Sequence, residues 1–158
     1  MCELINFTQL SPDEAEMILA WRNDKRVAKF MKTKFISRES HFKFLQNLKD
    51  GGDKRYFLVK DGGYVGVIDF TNITDESCEF GLYANPELKG VGKILMSAVL
   101  KYAFEILGVE ELRACAYKGN AAALGLYEKF KLLPCGEDEE FLYLKITQNS
   151  YNTAKGNS

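Results

Sequence analysis

The stretch Leu88-Lys89-Gly90-Val91-Gly92-Lys93 constrains the fold of this chain more than any other. Before it, Ser77 to Tyr83 alternates as a strand does, with Cys78, Phe80 and Leu82 facing one way and Glu79, Gly81 and Tyr83 the other. After it, Val91, Ile94, Leu95, Ala98, Val99, Tyr102, Ala103 and Ile106 recur at helical spacing as far as Gly108. A glycine-punctuated turn therefore joins a strand directly to a long helix. Such a turn binds anions. Its glycines let the backbone approach, and the first helical turn offers unpaired N–H groups at the positive end of the dipole. Lys89 and Lys93 add positive charge. By itself the loop specifies an anion, and phosphate, nucleotide and cofactor all satisfy it.

The 158 residues suit one domain with a real core, and a hydrophobic content of 46 % with 27 % charged residues is ordinary for a globular chain. The net charge of −1 provides no basic excess, so nucleic acid is not expected as a partner. The four cysteines, Cys2, Cys78, Cys115 and Cys135, form no CxxC pair, and His41 is the single histidine. Neither a metal site nor a disulfide framework is expected. No apolar run reaches membrane-spanning length, and the acidic N-terminal stretch is too short for a signal peptide. A cytoplasmic location, with reduced cysteines and no membrane partner, is the expectation.

Along the chain, Cys2 to Phe7 reads as a strand. Ser11-Pro12-Asp13-Glu14 is a capping box with proline at the first helical position, opening a helix to Asn23 that carries Ala15, Ile18, Leu19 and Arg22 on one side. Arg26 to Met31 reads as a short helical segment and Thr33 to Ile36 as extended. Ser37 caps a helix bearing His41, Phe42, Phe44, Leu45 and Leu48, which Asp50-Gly51-Gly52-Asp53 ends. Strands Arg55 to Lys60 and Tyr64 to Thr71 flank the hairpin signal Asp61-Gly62-Gly63. Glu111 to Tyr117 is a strand, Asn120 to Phe130 a helix, Pro134 to Asp138 a turn and Glu140 to Ile146 the last strand. Residues 1–147 read as a single domain and 148–158 as a frayed polar tail. This order is α+β, or mixed α/β, with a largely antiparallel sheet and at least one crossover helix. If the last strand lies at an edge, it can pair with a second copy, which makes a homodimer one expected assembly.

Three features coincide: the glycine loop, the strand after its helix, and Asn120-x-x-Ala123-x-x-Leu126-Tyr127 directly after that strand. Together they resemble the GNAT N-acetyltransferase superfamily. The resemblance implies a twisted, mostly antiparallel sheet of about seven strands flanked by helices, whose splayed central strands bind acetyl-CoA. It implies that backbone amides of Leu88, Lys89, Gly90, Val91, Gly92 and Lys93 hold the pyrophosphate and that Leu82, Tyr83 and Asn120 complete the cofactor site. It also implies that Tyr127 protonates the departing thiolate. The chain departs from the family pattern twice. Glu87 stands where glutamine or arginine is usual, and Phe130-Lys131-Leu132 stands where a Gly-Phe pair is common. For the base, Glu79, Asp69, His41 and a water relay all stay open: Glu79 lies on the channel strand, Asp69 one strand away, and His41 titrates in a suitable range.

Longer blocks carry a narrower resemblance: Trp21-Arg22-Asn23, Phe30 to Lys34, Val67 to Thr74 and Cys78 to Ala84. They are similar to the N-acetyltransferases of bacterial pseudaminic acid synthesis. Those enzymes acetylate the 4-amine of UDP-4-amino-4,6-dideoxy-N-acetyl-β-L-altrosamine on the route to flagellin glycosylation. This resemblance implies a UDP-aminosugar pocket of Arg22, Met31, Lys32, His41, Phe44 and Tyr83. Arg22, Lys25, Arg26, Lys29, Lys32 and Lys34 make the N-terminal third cationic, which suits an anionic acceptor. A protein N-terminus or a polyamine is the alternative acceptor, and a polyamine site would be expected to carry carboxylates.

Overall fold

The apolar stripes of the helices meet the two faces of one sheet. The computed structural model describes residues 2–50 and 52–156, so Met1, Gly51 of the expected helix stop and the last two residues of the expected tail lie outside the described residues. The strands are β1 (Glu3–Asn6), β2 (Arg55–Lys60), β3 (Tyr64–Thr71), β4 (Ser77–Ala84), β5 (Glu111–Tyr117), β6 (Leu133–Glu137) and β7 (Phe141–Thr147). They form a seven-stranded sheet in the order β1-β2-β3-β4-β5-β7-β6. Only β4 and β5 pair in parallel; every other pairing is antiparallel.

Helices α1 (Pro12–Asn23), α2 (Lys25–Ala28) and α3 (Arg38–Leu48) cover one face. The α1 capping box forms in both directions, with Pro12 in the first turn, and Ser37 caps α3. Ala15, Ile18 and Trp21 of α1 and Leu45 of α3 bury against Leu58 and Val67 of the sheet. The other face, with Phe57, Ile68, Phe70, Cys78 and Phe80, packs on Leu95, Met96 and Val99 of α4 (Gly92–Lys101). A π-helical turn, Tyr102–Leu107, continues α4 and places the Tyr102 ring 4.8 Å from Phe57 and 4.9 Å from Phe70. Gly108, at φ +70°, ends it in the left-handed conformation that glycine adopts without penalty. Each fully buried leucine, isoleucine, valine, phenylalanine or methionine among these contributes roughly 1.5–3 kcal/mol.

Two connections position the site. Between β2 and β3, Asp61 N–H donates to the Gly63 carbonyl at 2.8 Å, closing the hairpin. Between β4 and β5, pairing is confined to Ser77–Glu79 against Glu111–Arg113. Beyond that point β4 stays with β3 as far as Ala84, and β5 stays with β7 as far as Tyr117. The sheet is therefore split down its middle from Phe80 onward.

Three expectations are corrected. Pro134 to Asp138 is not simply a turn, because Leu133–Glu137 forms β6. All of β6 is exposed, so it has no apolar alternation to read. Consequently β7 lies between β5 and β6, and the free edge on that side belongs to β6, not to the last strand. The tail is not frayed: Gln148–Gly156 is helix α6. One aromatic stack secures it, Tyr151 on Phe104 at 5.0 Å, with the Tyr151 hydroxyl and Lys155 both bonded to Glu105. A single half-buried ring leaves no helical period in the sequence. Among the described residues no helix is long and apolar enough to cross a membrane.

Candidate active site

A cleft of about 730 Å³ opens where β4 leaves β5. One wall is the β4–α4 loop with α5 (Ala121–Lys129) and the end of β4. Gly90 has φ +74°, and the first residue before α4, Val91, brings no side-chain cap. The N–H groups of residues 89–93 donate to no other group among the described residues. They form an amide cradle with Lys89 and Lys93 beside it. Gly92 has a second role. A Cβ there would stand 3.1 Å from Leu126 Cδ2, so the glycine seats α5 closely against the start of α4. These features fit a pyrophosphate group, whose oxygens need converging N–H donors and close backbone approach.

Asn120 caps α5, its side chain accepting from Ala123 N–H at 3.2 Å. Tyr127 is 4 % exposed, with its ring edge-on to Phe80 at 5.4 Å. Its hydroxyl has no hydrogen-bond partner among the described residues. Burial first, and then the charge of Asp69, push this phenol above its ordinary value, so it holds its proton at neutral pH. At the end of α5, Lys131 N–H donates to the Glu128 carbonyl and Leu132 N–H to the Tyr127 carbonyl, with Lys131 at φ +70°. That is a Schellman stop with lysine in the left-handed position. The backbone keeps the turn that a Gly-Phe pair would make.

The opposite wall collects Arg22 of α1, Met31 and Lys32 of the following loop, His41 and Phe44 of α3, Tyr56 of β2, Asp69 of β3 and Tyr83 of β4. Arg22 Nη2 donates to the Thr33 carbonyl at 2.9 Å, while Nη1 is buried without a partner. Burial lowers the Arg22 pKa, opposed by Tyr83 and Tyr56. The loop before α3 is strapped down at both ends. Asn23 bonds the Ile36 backbone in both directions, at 2.7 and 2.8 Å. Tyr117 donates to the Met31 carbonyl, and Lys32 and Lys34 lie over the stacked Phe141 and Tyr117 rings at 4.6 and 4.9 Å. His41 Nε2 stands 2.9 Å from the Ala15 carbonyl, and burial lowers its pKa. It docks α3 onto α1 while one edge of the ring borders the cleft. Phe44 is edge-on to Tyr56 at 4.9 Å.

The structure thus brings together all six residues expected at the acceptor pocket, together with Leu82, Leu88, Asn120 and Tyr127. Lys89, Gly90, Val91, Gly92 and Lys93 stand outside the lining of the cleft, and the structure does not bring in Glu79. That side chain is exposed in the row Thr71–Glu79–Arg113, where the sheet is still closed, and it does not line the cleft. Glu87, the departure in the glycine loop, pairs with Arg26 at 2.8 Å and links α2 to the loop. Tyr56, Tyr117 and Phe141 were not anticipated; the signal available was their place in strand registers that only the folded sheet aligns. Among the described residues no group of three or more His, Cys, Asp or Glu side chains is arranged to hold a metal ion.

The acetyltransferase (GNAT) domain family matches residues 5–132. The chain belongs to the GNAT acetyltransferase family. It is accordingly an acetyl-CoA-dependent N-acetyltransferase. The Campylobacter jejuni acetyltransferase PseH is 48 % identical over 150 residues, covering 94 % of this chain and 96 % of that protein. The crystal structure of C. jejuni N-acetyltransferase PseH in complex with acetyl coenzyme A superposes with a TM-score of 0.81 at 45 % identity, covering 94 % of this chain and 99 % of the other. Spermidine N-acetyltransferase from Vibrio cholerae, in complex with CoA and spermine, reaches a TM-score of 0.85 at 20 % identity, covering 96 % and 98 %. At that identity the likeness is one of fold.

Proposed function

We propose that the chain transfers the acetyl group of acetyl-CoA to the 4-amino group of UDP-4-amino-4,6-dideoxy-N-acetyl-β-L-altrosamine, a step of pseudaminic acid assembly for flagellin glycosylation. The observation that carries this reading is Arg22. Its Nη1 is buried in the acceptor wall without a partner, and an anionic acceptor supplies one. Lys32 adds a second cation at the rim, and Tyr56 and Phe44 offer aromatic faces to a base. A polycationic acceptor would meet Arg22 and Lys32 as like charges. The near-full-length likeness to PseH supports the same acceptor class.

Acetyl-CoA supplies an activated thioester. The residues of the chain bind, orient and move protons. The amides of residues 89–93 take the pyrophosphate, and along Leu82 and Tyr83 the side of β4 turned away from β3 is no longer paired with β5, where a free backbone N–H can polarise a carbonyl. Attack by the acceptor amine is direct, with no acyl-enzyme. Tyr127, kept protonated by burial, donates to the leaving thiolate. Thiol release from acetyl-CoA is measured in parallel with the UDP-4-aminosugar, spermidine and an N-terminal peptide. Release with the sugar nucleotide alone is expected; equal or faster release with spermidine overturns the acceptor assignment.

A further inference from the structure

We propose that Asp69 is the general base of this reaction, taking the proton from the acceptor amine at the point where β4 parts from β5. The inference rests on the acetyl transfer above and adds the group that completes it. Asp69 lies on β3 opposite Gly81 of β4 and Tyr56 of β2, so the three occupy one row on the face of the sheet that turns toward α1 and α3. Gly81 follows Glu79, the last β4 residue paired with β5, by two positions. The carboxylate therefore stands at the fork of the split, in the wall of the cleft.

Gly81 makes that position available. A Cβ at residue 81 would fall 2.8 Å from Asp69 Oδ2 and 3.3 Å from Oδ1. The carboxylate leans across β4 into space that any side chain would fill, beside the Gly81 backbone, which partly offsets the effect of burial on its pKa. No ion pair to Asp69 exists among the described residues. The groups facing it are phenols: Tyr56 from β2, Tyr83 from β4 and Tyr127 from α5, each held protonated by burial in the first place and by Asp69 in the second. Arg22 of α1 acts on Tyr56 and Tyr83, and His41 of α3 keeps its Nε2 on the Ala15 carbonyl. Without a cation beside it, burial pushes the Asp69 carboxyl up to about 7, a range suited to a base at neutral pH.

The proton balance closes with residues already placed. As the amine attacks the thioester carbonyl carbon, the C–N bond forms and the ammonium proton passes to an Asp69 oxygen. As the C–S bond breaks, the Tyr127 hydroxyl proton passes to the thiolate, giving CoA thiol. Asp69 releases its proton to solvent, and solvent reprotonates Tyr127. Glu79 is on the same face but one row back, where the strands are closed, and it faces solvent.

The test is the pH dependence of kcat/KM in wild type, Asp69→Asn, Glu79→Gln and His41→Asn. The acceptor is whichever of the three above turns over, so that a wrong acceptor and a wrong base fail separately. The expected result is an acidic limb near pH 7 in wild type, Glu79→Gln and His41→Asn. Asp69→Asn is expected to lose the limb and about a hundredfold in kcat, with acetyl-CoA affinity unchanged. Retention of the limb by Asp69→Asn, or its loss in Glu79→Gln or His41→Asn alone, overturns the proposal. If Asp69→Asn does not fold, the ¹³C carboxyl titration of wild-type Asp69 decides. A midpoint matching the limb supports the base, and one more than about a pH unit away overturns it.

Discussion

The two walls of the cleft recognise their ligands by different means. The donor wall comes from β4, the loop before α4 and α5, and it presents mainly backbone: the free side of β4, a capped helix and, just beyond the lining of the cleft, amides 89–93. The acceptor wall draws on α1, the loop before α3, α3 itself, β2 and β3, and it presents side chains, charged and aromatic. A backbone site tolerates substitution wherever the chain can keep its path, which is why Glu87 can be turned to an ion pair with Arg26 and Lys131 can occupy a left-handed turn. A side-chain site changes its ligand when one residue changes. On the proposed function, the first wall holds the donor and the second selects the acceptor.

Substitutions test that contrast directly. The largest effect is expected at Tyr127, the donor-wall side chain proposed as the acid. Tyr127→Phe keeps the ring on Phe80 and removes the acid, so kcat falls by about a hundredfold or more while both KM values and the melting temperature stay close to wild type. Steady-state kinetics with a thermal melt checks this, and an unchanged kcat removes Tyr127 from the mechanism. Next, Arg22→Ala is expected to raise the acceptor KM about tenfold and leave the acetyl-CoA KM unmoved, since the bond proposed from the unpartnered Nη1 to the acceptor is charge-assisted and confined to one wall. Equal changes in both KM values would mean that the walls are not separate.

A smaller effect is expected in stability. Asp69 has its folded pKa raised from 3.8 to about 7 by burial, so the folded chain binds the proton more tightly than the unfolded one. Its contribution to stability is full below pH 3.8 and declines as pH rises to about 7. Asp69→Asn removes that decline: relative to wild type, the variant gains stability between pH 4.5 and pH 8, read by urea unfolding at each pH. An acceptor wall that costs stability while the donor wall does not would show up as this slope. The smallest effect is expected for Lys131→Gly. Relief of the left-handed backbone, partly offset by the greater freedom of glycine in the unfolded chain, leaves a gain of about 0.5 kcal/mol, visible as a slightly higher melting temperature with unchanged kinetics.

How far each wall was legible follows from the same contrast. The strand, glycine turn and helix of the donor wall are consecutive, so their pattern survives in a linear reading. The caps at Ser11 and Ser37 and the Asp61-Gly62-Gly63 hairpin were legible for the same reason. Helix α6 and strand β6 were not. The first buries one aromatic contact and the second lies exposed throughout, so neither leaves a period behind. At the acceptor wall, Arg22, Lys32 and His41 were readable as candidates, but the unpartnered Nη1 and the bond from His41 to Ala15 exist only once α1, α3 and the loop are packed.

The two carboxylates mark the boundary most clearly. Alternation along β4 put Glu79 and Gly81 on one face, and residue type made both Glu79 and Asp69 candidate bases; the sequence alone determined that much, together with the anion-binding turn and the tyrosine helix. Which carboxylate reaches the cleft was decided by tertiary structure. It depends on where β4 stops pairing with β5 and on which β3 residue stands across from Gly81. Strand register and the start of a splay are set by contacts between residues far apart in the chain, and no local pattern of side chains encodes them.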